Sequence, residues 1–368
     1  MQIIGRLRCG LDRAHTPALA AILLLAITLA GCSPLYVLRA GYEEAKILSR
    51  RRPIARVVAD STTPEATREK LRLVVDARDF ARDSLALKVG DSYTTFARLD
   101  SDTLAHIVSA AYQDRFEAYT WWFPIIGHVP YKGFFSLEKA RKEAAKLAKK
   151  GLDTSVRPTS AFSTLGWFND PLVSPLLRYD SVSLAGTVVH ELVHNTYYAP
   201  GQAMFNESMA QFVGSRGAIV FLCGRLGEAS ATCQRARADW HDELVFGRFL
   251  DALVQRLDSL YGRADLPREE KLLRREVIFD EARRDFVAEV QPQFIASTYA
   301  GFLSGPLNNS TLISRRLYYH RLDLFEQVFQ ESGEDLRGTV ARILTAARAR
   351  KDDPYAGVAG LLLPPPIP

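Results

Sequence analysis

One ten-residue stretch limits this chain more than any other: Gly186-Thr187-Val188-Val189-His190-Glu191-Leu192-Val193-His194-Asn195. It reads His-Glu-x-x-His inside an apolar, helix-compatible run. Residues four apart stand one turn apart on the same helical face. His190 and His194 can therefore offer two imidazoles to one metal ion. Glu191 is no ligand in this arrangement; it takes the proton of the water that the metal activates. Imidazole nitrogens suit zinc, and a catalytic zinc uses three protein ligands with a fourth position open. The neighbours Val188, Val189, Leu192 and Val193 predict a buried helix, where imidazole and charged groups are costly unless paired or metal-bound.

The third ligand is expected a short way downstream. Glu207 stands in Phe205-Asn206-Glu207-Ser208-Met209-Ala210, separated from His194 by residues 195–206. Within that gap Tyr198-Ala199-Pro200-Gly201-Gln202 predicts a turn, because Pro and Gly punctuate helices. One helix then carries both histidines, the chain reverses, and a second helix returns Glu207. Asn-Glu-x-x-Ala after His-Glu-x-x-His resembles the gluzincin metallopeptidases, whose third zinc ligand is the Glu of a second helix. The gap is shorter here than in thermolysin-like members.

The N-terminus predicts a targeting segment. Arg6, Arg8 and Arg13 precede an apolar run from Ala18 to Ala30 that is too short to span a membrane comfortably and ends in small residues. Leu29-Ala30-Gly31-Cys32 resembles the bacterial lipobox. That resemblance implies a signal peptide over 1–31, lipid attached at Cys32, and a chain held in the bacterial envelope, facing the periplasm. Ser33 after the cysteine favours the outer membrane. Export agrees with cysteine usage: Cys223 and Cys233 remain as an even pair, expected to form a disulfide in an oxidising compartment. Closing so short a loop contributes about 2–3 kcal/mol at most. The net charge of +5 is dispersed along the chain and predicts no nucleic-acid partner. The densest basic run, from Lys139 to Lys150, reads as a solvated helix face.

The fold class expected is α+β: a mostly helical, zincin-like metallopeptidase with a small mixed sheet before the metal-binding helix. Residues 32–62 read as tether and lead-in, and 63–350 as the peptidase domain. Its sheet-containing part covers about 90–180 and its helical part about 181–350. Residues 351–368 read as a tail, with the Pro-rich end from Leu363 extended. Helices are predicted at 64–88, 137–149, 183–198, 203–222, 235–260, 267–289, 309–331 and 334–349. Aromatic and β-branched residues between 92 and 135, and again from Asp153 to Phe168, favour strands. Zinc peptidases hold an extended peptide along a sheet edge. Gly166 and Trp167 are the candidates for that edge or the wall beside it.

Further pieces complete a resemblance. Val129-Pro130-Tyr131-Lys132-Gly133-Phe134-Phe135, Ser163 to Pro171, the His-Glu-x-x-His motif, Asn206-Glu207-Ser208-Met209-Ala210, and Asn308-Asn309 with Tyr318 run through most of the chain. Together they resemble the bacterial putative aminopeptidase family of lipid-anchored zinc proteins. The resemblance implies a Zn2+-dependent peptidase acting on the N-terminal residues of peptides. His190, His194 and Glu207 would be ligands and Glu191 the general base. Tyr318, with Tyr319 as the alternative, would be the donor to the developing oxyanion. An aminopeptidase also needs a group that grips the free α-amine; Glu138, Asp170 and Asp180 are candidates among which the sequence does not choose. Two other readings stay open: a zinc endopeptidase, and a lipid-anchored binding factor in which zinc only braces the fold.

Overall fold

The computed structural model describes residues 42, 45–123, 127–159 and 171–362. Cys32 and the signal segment, Gly166, Trp167, Asp170 and the Pro-rich end from Leu363 lie outside the described residues. The chain is mostly helical with small sheets, an α+β protein.

It enters through a short strand, β1 (Arg52–Pro53), and a helical turn, α1 (Ile54–Ala59), whose Ile54 and Val57 are buried. These residues fall in the stretch 32–62 read as tether and lead-in. They lead directly into the main core, where β1 pairs antiparallel with β2 (Thr95–Ala97). Helix α2 (Glu65–Asp83) buries Leu71, Val74, Ala77 and Ala81 along one stripe. It stops short of the expected residue 88. Ala86 takes a left-handed φ of 56°, which no helix continues, so Leu85 and Leu87 reach the core from a turn.

One mixed sheet was expected; the described residues form three pieces. The mixed one is small: β1, β2 and β8 (Leu172–Val173), with β2 and β8 parallel. The second is wholly antiparallel, in the order β6 (Tyr131–Phe134), β3 (Ala105–Tyr112), β7 (Leu152–Thr159), and a hairpin of β4 (Trp121–Phe123) and β5 (Gly127–Val129) stands apart. Pro130 stands between β5 and β6, and a residue without an N–H interrupts a ladder. Only β3 and β7, free of such breaks over most of their length, pair for eight residues each. Helix α3 (Leu137–Ala148), capped by Ser136, packs Ala140, Ala144 and Leu147 on this sheet.

The remaining helices enclose the site. They are α4 (Ser181–Thr196), α5 (Ala203–Leu226), α6 (Ala231–Tyr261), α7 (Arg268–Asp285), the turn α8 (Gly301–Ser304), α9 (Asn309–Tyr319), α10 (Leu322–Glu331), α11 (Leu336–Ala349) and α12 (Pro354–Ala359). The single helix expected over 309–331 is two. Arg321 turns left-handed at φ 52°, and Asp251 of α6 holds the break, accepting from Arg321 N (3.1 Å) while paired with His320 Nδ1 (2.7 Å). The chain expected to trail off after residue 350 forms α12, whose Tyr355 hydroxyl lies 2.6 Å from Ser208 Oγ and braces the start of α5. Cys223 and Cys233 form a disulfide that joins the end of α5 to the first turn of α6.

Candidate active site

Helix α4 begins at Asp180, whose side chain accepts from Ser183 N at 2.8 Å and satisfies a first-turn N–H. Its inner face carries Leu184, Val188, Leu192 and, among these apolar groups, His190 and His194, both buried. The chain reverses through Pro200-Gly201, with Gly201 at a φ of 76° that a side chain would resist. Asn206 clamps the reversal. Its Oδ1 accepts from Ala199 N at 2.9 Å, and its Nδ2 donates to Ala199 O at 2.8 Å. This buried pair sets the register of α5, so the next residue, Glu207, faces the histidines.

The three side chains converge. Glu207 Oε2 lies 3.4 Å from His190 Nε2, and Glu207 Oε1 lies 3.7 Å from His194 Nε2. One ligand atom from each of the three falls within 4.8 Å of the others. Two imidazole nitrogens and a carboxylate form a donor set of the kind zinc takes in hydrolases. Burial and the neighbouring His190 push His194 down to about 4, so its ring is neutral at physiological pH, the form that binds metal. Burial also opposes charge on His190, but the hydrogen bond with Glu207 and the charge of Glu191 outweigh it and raise its pKa. Glu207 mirrors this: burial would raise it, and the bond to His190 holds it below the ordinary carboxylate value. Among the described residues His194 Nδ1 is buried with no hydrogen-bond partner, and packing orients this ring.

A cleft of about 630 Å³ opens beside these residues, and His190, Glu191, Arg157, Gln211, Glu243 and Tyr318 stand among its walls. The Tyr318 ring centre is 6.1 Å from that of His190. Burial, and then the charge of Glu207, push its phenol well above the ordinary tyrosine value, so it remains a donor at neutral pH. Tyr319 also borders the cleft, yet its ring packs 5.1 Å from Phe246 and 6.1 Å from Tyr299. Of the two candidates, Tyr318 is therefore the one beside His190.

Tyr318 is placed from the far end of α9. Asn308 caps that helix in a reciprocal box with Thr311. Asn309 is buried: its Nδ2 donates to Tyr112 O (2.9 Å) and its Oδ1 accepts from Tyr261 (2.9 Å). Its N–H meets Asp153, which Arg275 holds at 2.9 and 3.2 Å. The Asn-Asn pair thus ties α9 to strands β3 and β7.

A family described as putative aminopeptidase matches residues 35–354. The chain belongs to that family. No curated protein and no solved structure matches it.

In this aminopeptidase-family chain the structure brings together His190, Glu191, His194, Glu207 and Tyr318. Of the amine-grip candidates, Glu138 is exposed at the start of α3, and Asp180 serves as the cap of α4. Sequence reasoning missed Arg157, Tyr131 and Glu243. Arg157 lines the cleft together with Tyr318, and its charge acts on the Tyr318 phenol from β7, an edge of its sheet among the described residues. Tyr131 lies in one of the family-like pieces, and burial and the charge of Glu207 raise its phenol. Glu243 sits between the core positions Asp242 and Val245 of α6, where a carboxylate is out of pattern.

Proposed function

We propose that this protein is a zinc-dependent aminopeptidase of gluzincin type, anchored by lipid at Cys32 on the periplasmic side of the bacterial envelope. The observation that carries the reading is the meeting of His190, His194 and Glu207, with His190 and Glu191 at the wall of one cleft. The lipobox-like Leu29-Ala30-Gly31-Cys32 and the Cys223–Cys233 disulfide support the location. A zinc ion held by the three residues would supply Lewis acidity, polarising a carbonyl and acidifying a water.

The chain's own groups do the rest. Glu191, at the cleft wall, takes the proton of the attacking water and passes it to the leaving amine. Tyr318, kept protonated by its surroundings, donates to the carbonyl oxygen as negative charge builds there. An extended peptide lies along the end of β7 at residues 157–159, which borders the cleft.

The test is direct. Zinc-loaded protein should release the N-terminal residue of short peptides, stop when a chelator is added, and recover with added zinc. Tyr318→Phe should slow turnover roughly 10²- to 10³-fold with little change in KM. Equal cleavage of free and N-acetylated peptides would make it an endopeptidase. If the loaded protein cleaves no peptide at all, the non-catalytic binding role replaces this one.

A further inference from the structure

An aminopeptidase differs from an endopeptidase by one recognition event, the capture of a free α-ammonium next to the scissile bond. We infer that Glu243 of α6 is the group that grips the substrate's α-ammonium and so makes this cleft specific for peptide N-termini. The inference rests on the peptidase reading above and adds the determinant of its substrate class.

Position argues first. Glu243 lines the same cleft as His190 and Glu191. Its Oε2 accepts from Gln211 Nε2 at 3.0 Å and from Ser215 Oγ at 2.9 Å, both on α5. Gln211 and Ser215 follow Glu207 by one and two helical turns, so the carboxylate is held one to two turns further along the helix that carries the third ligand. An α-nitrogen is two bonds from the scissile carbonyl carbon. An anchor one to two turns from the metal-ligand position is at the right remove for it.

Availability argues second. Glu191 is committed to proton transfer and Glu207 to the imidazoles. Asp239, one turn before Glu243 on the same cleft wall, is paired with Arg235 at 2.7 Å. Asp242 accepts from the N–H groups of Ile295, Ala296 and Ser297 at 2.7–2.8 Å, and pins α6 at this level. The donors of Asp242 occupy both of its oxygens, whereas the two donors of Glu243 are neutral and both converge on Oε2. No lysine or arginine pairs with it among the described residues. Burial accordingly pushes its carboxyl up to about 7, the mark of an acid lacking its countercharge. An ammonium brings that countercharge and a donor for Oε1, in a charge-assisted bond.

The experiment compares wild type with Glu243→Gln, which keeps size and the contacts to Gln211 and Ser215. Zinc content and thermal midpoint should match wild type. On aminoacyl substrates with a free amine, kcat/KM should fall roughly 10- to 100-fold, the worth of one hydrogen bond between charged groups. Binding of leucine hydroxamate and N-acetyl-leucine hydroxamate supplies a readout that needs no turnover. Wild type should prefer the free amine, and the variant should bind the two alike. If the variant keeps the wild-type preference while both proteins turn over peptide, the assignment of Glu243 is overturned and the peptidase reading stands. If neither turns over peptide yet the hydroxamate preference depends on Glu243, the amine site stands and the peptidase reading falls.

Discussion

Glu191→Gln should lower kcat on every peptide substrate by roughly 10²- to 10⁴-fold, the usual worth of a positioned general base. The amide has the shape of the carboxylate, so α4 and its packing should be unaltered. It cannot accept the water's proton, and that is the only function removed. Zinc should stay bound. The charge of Glu191 helps raise His190, so its loss favours the neutral imidazole that a metal requires. Zinc content by elemental analysis and turnover of an aminoacyl fluorogenic substrate give both readings from one preparation. Near-wild-type turnover in the variant would remove Glu191 from the mechanism.

The second large effect is expected at a residue with no chemistry. Gly214 lies where α5 passes closest to α4. A Cβ there would meet Gly186 O at 2.7 Å and His190 Cβ at 3.0 Å. Those atoms belong to backbone and to the base of a ligand side chain, so neither can swing aside. Gly214→Val forces the helices apart at the level of His190. Overpacking of this kind costs about 1–3 kcal/mol. More telling is the coupling to the site. Helix α4 carries both imidazoles and α5 carries Glu207, so separating the helices widens the gap that a single ion must bridge. Zinc affinity should fall together with the thermal midpoint. Gly224→Ala is the control, since a Cβ there has nothing within 4 Å and Ala favours helix over Gly. If Gly214→Val binds zinc as wild type does, the close crossing does not set the site.

Much of the site could be read from the chain because its signals are local. His190 and His194 repeat at the helical period, and the next helix could be placed because Pro200 and Gly201 announce a reversal. The Asn206 clamp that aims Glu207 is itself a short-range contact. What escaped depends on tertiary placement. Glu243 reaches the cleft only because α6 folds back against Gln211 and Ser215. Arg157 faces Tyr318 only because Asn309 docks α9 on β7. The break at His320-Arg321 has neither Gly nor Pro to mark it; Asp251, far away in sequence, imposes it. The same holds for the two ends of the domain. Arg52–Ala59 and Pro354–Ala359 look like linkers by composition, and become structure through β2 in one case and Ser208 in the other.

The claim on which the rest depends is that two histidines and one glutamate share a single ion. Zinc per chain, measured on protein purified without added chelator, tests it most directly when wild type is set beside His194→Ala and Glu207→Ala. One zinc per chain in wild type, lost or bound far more weakly in both variants while each stays folded, is the predicted result. No zinc in wild type, or zinc retained undiminished when either side chain is removed, would contradict it.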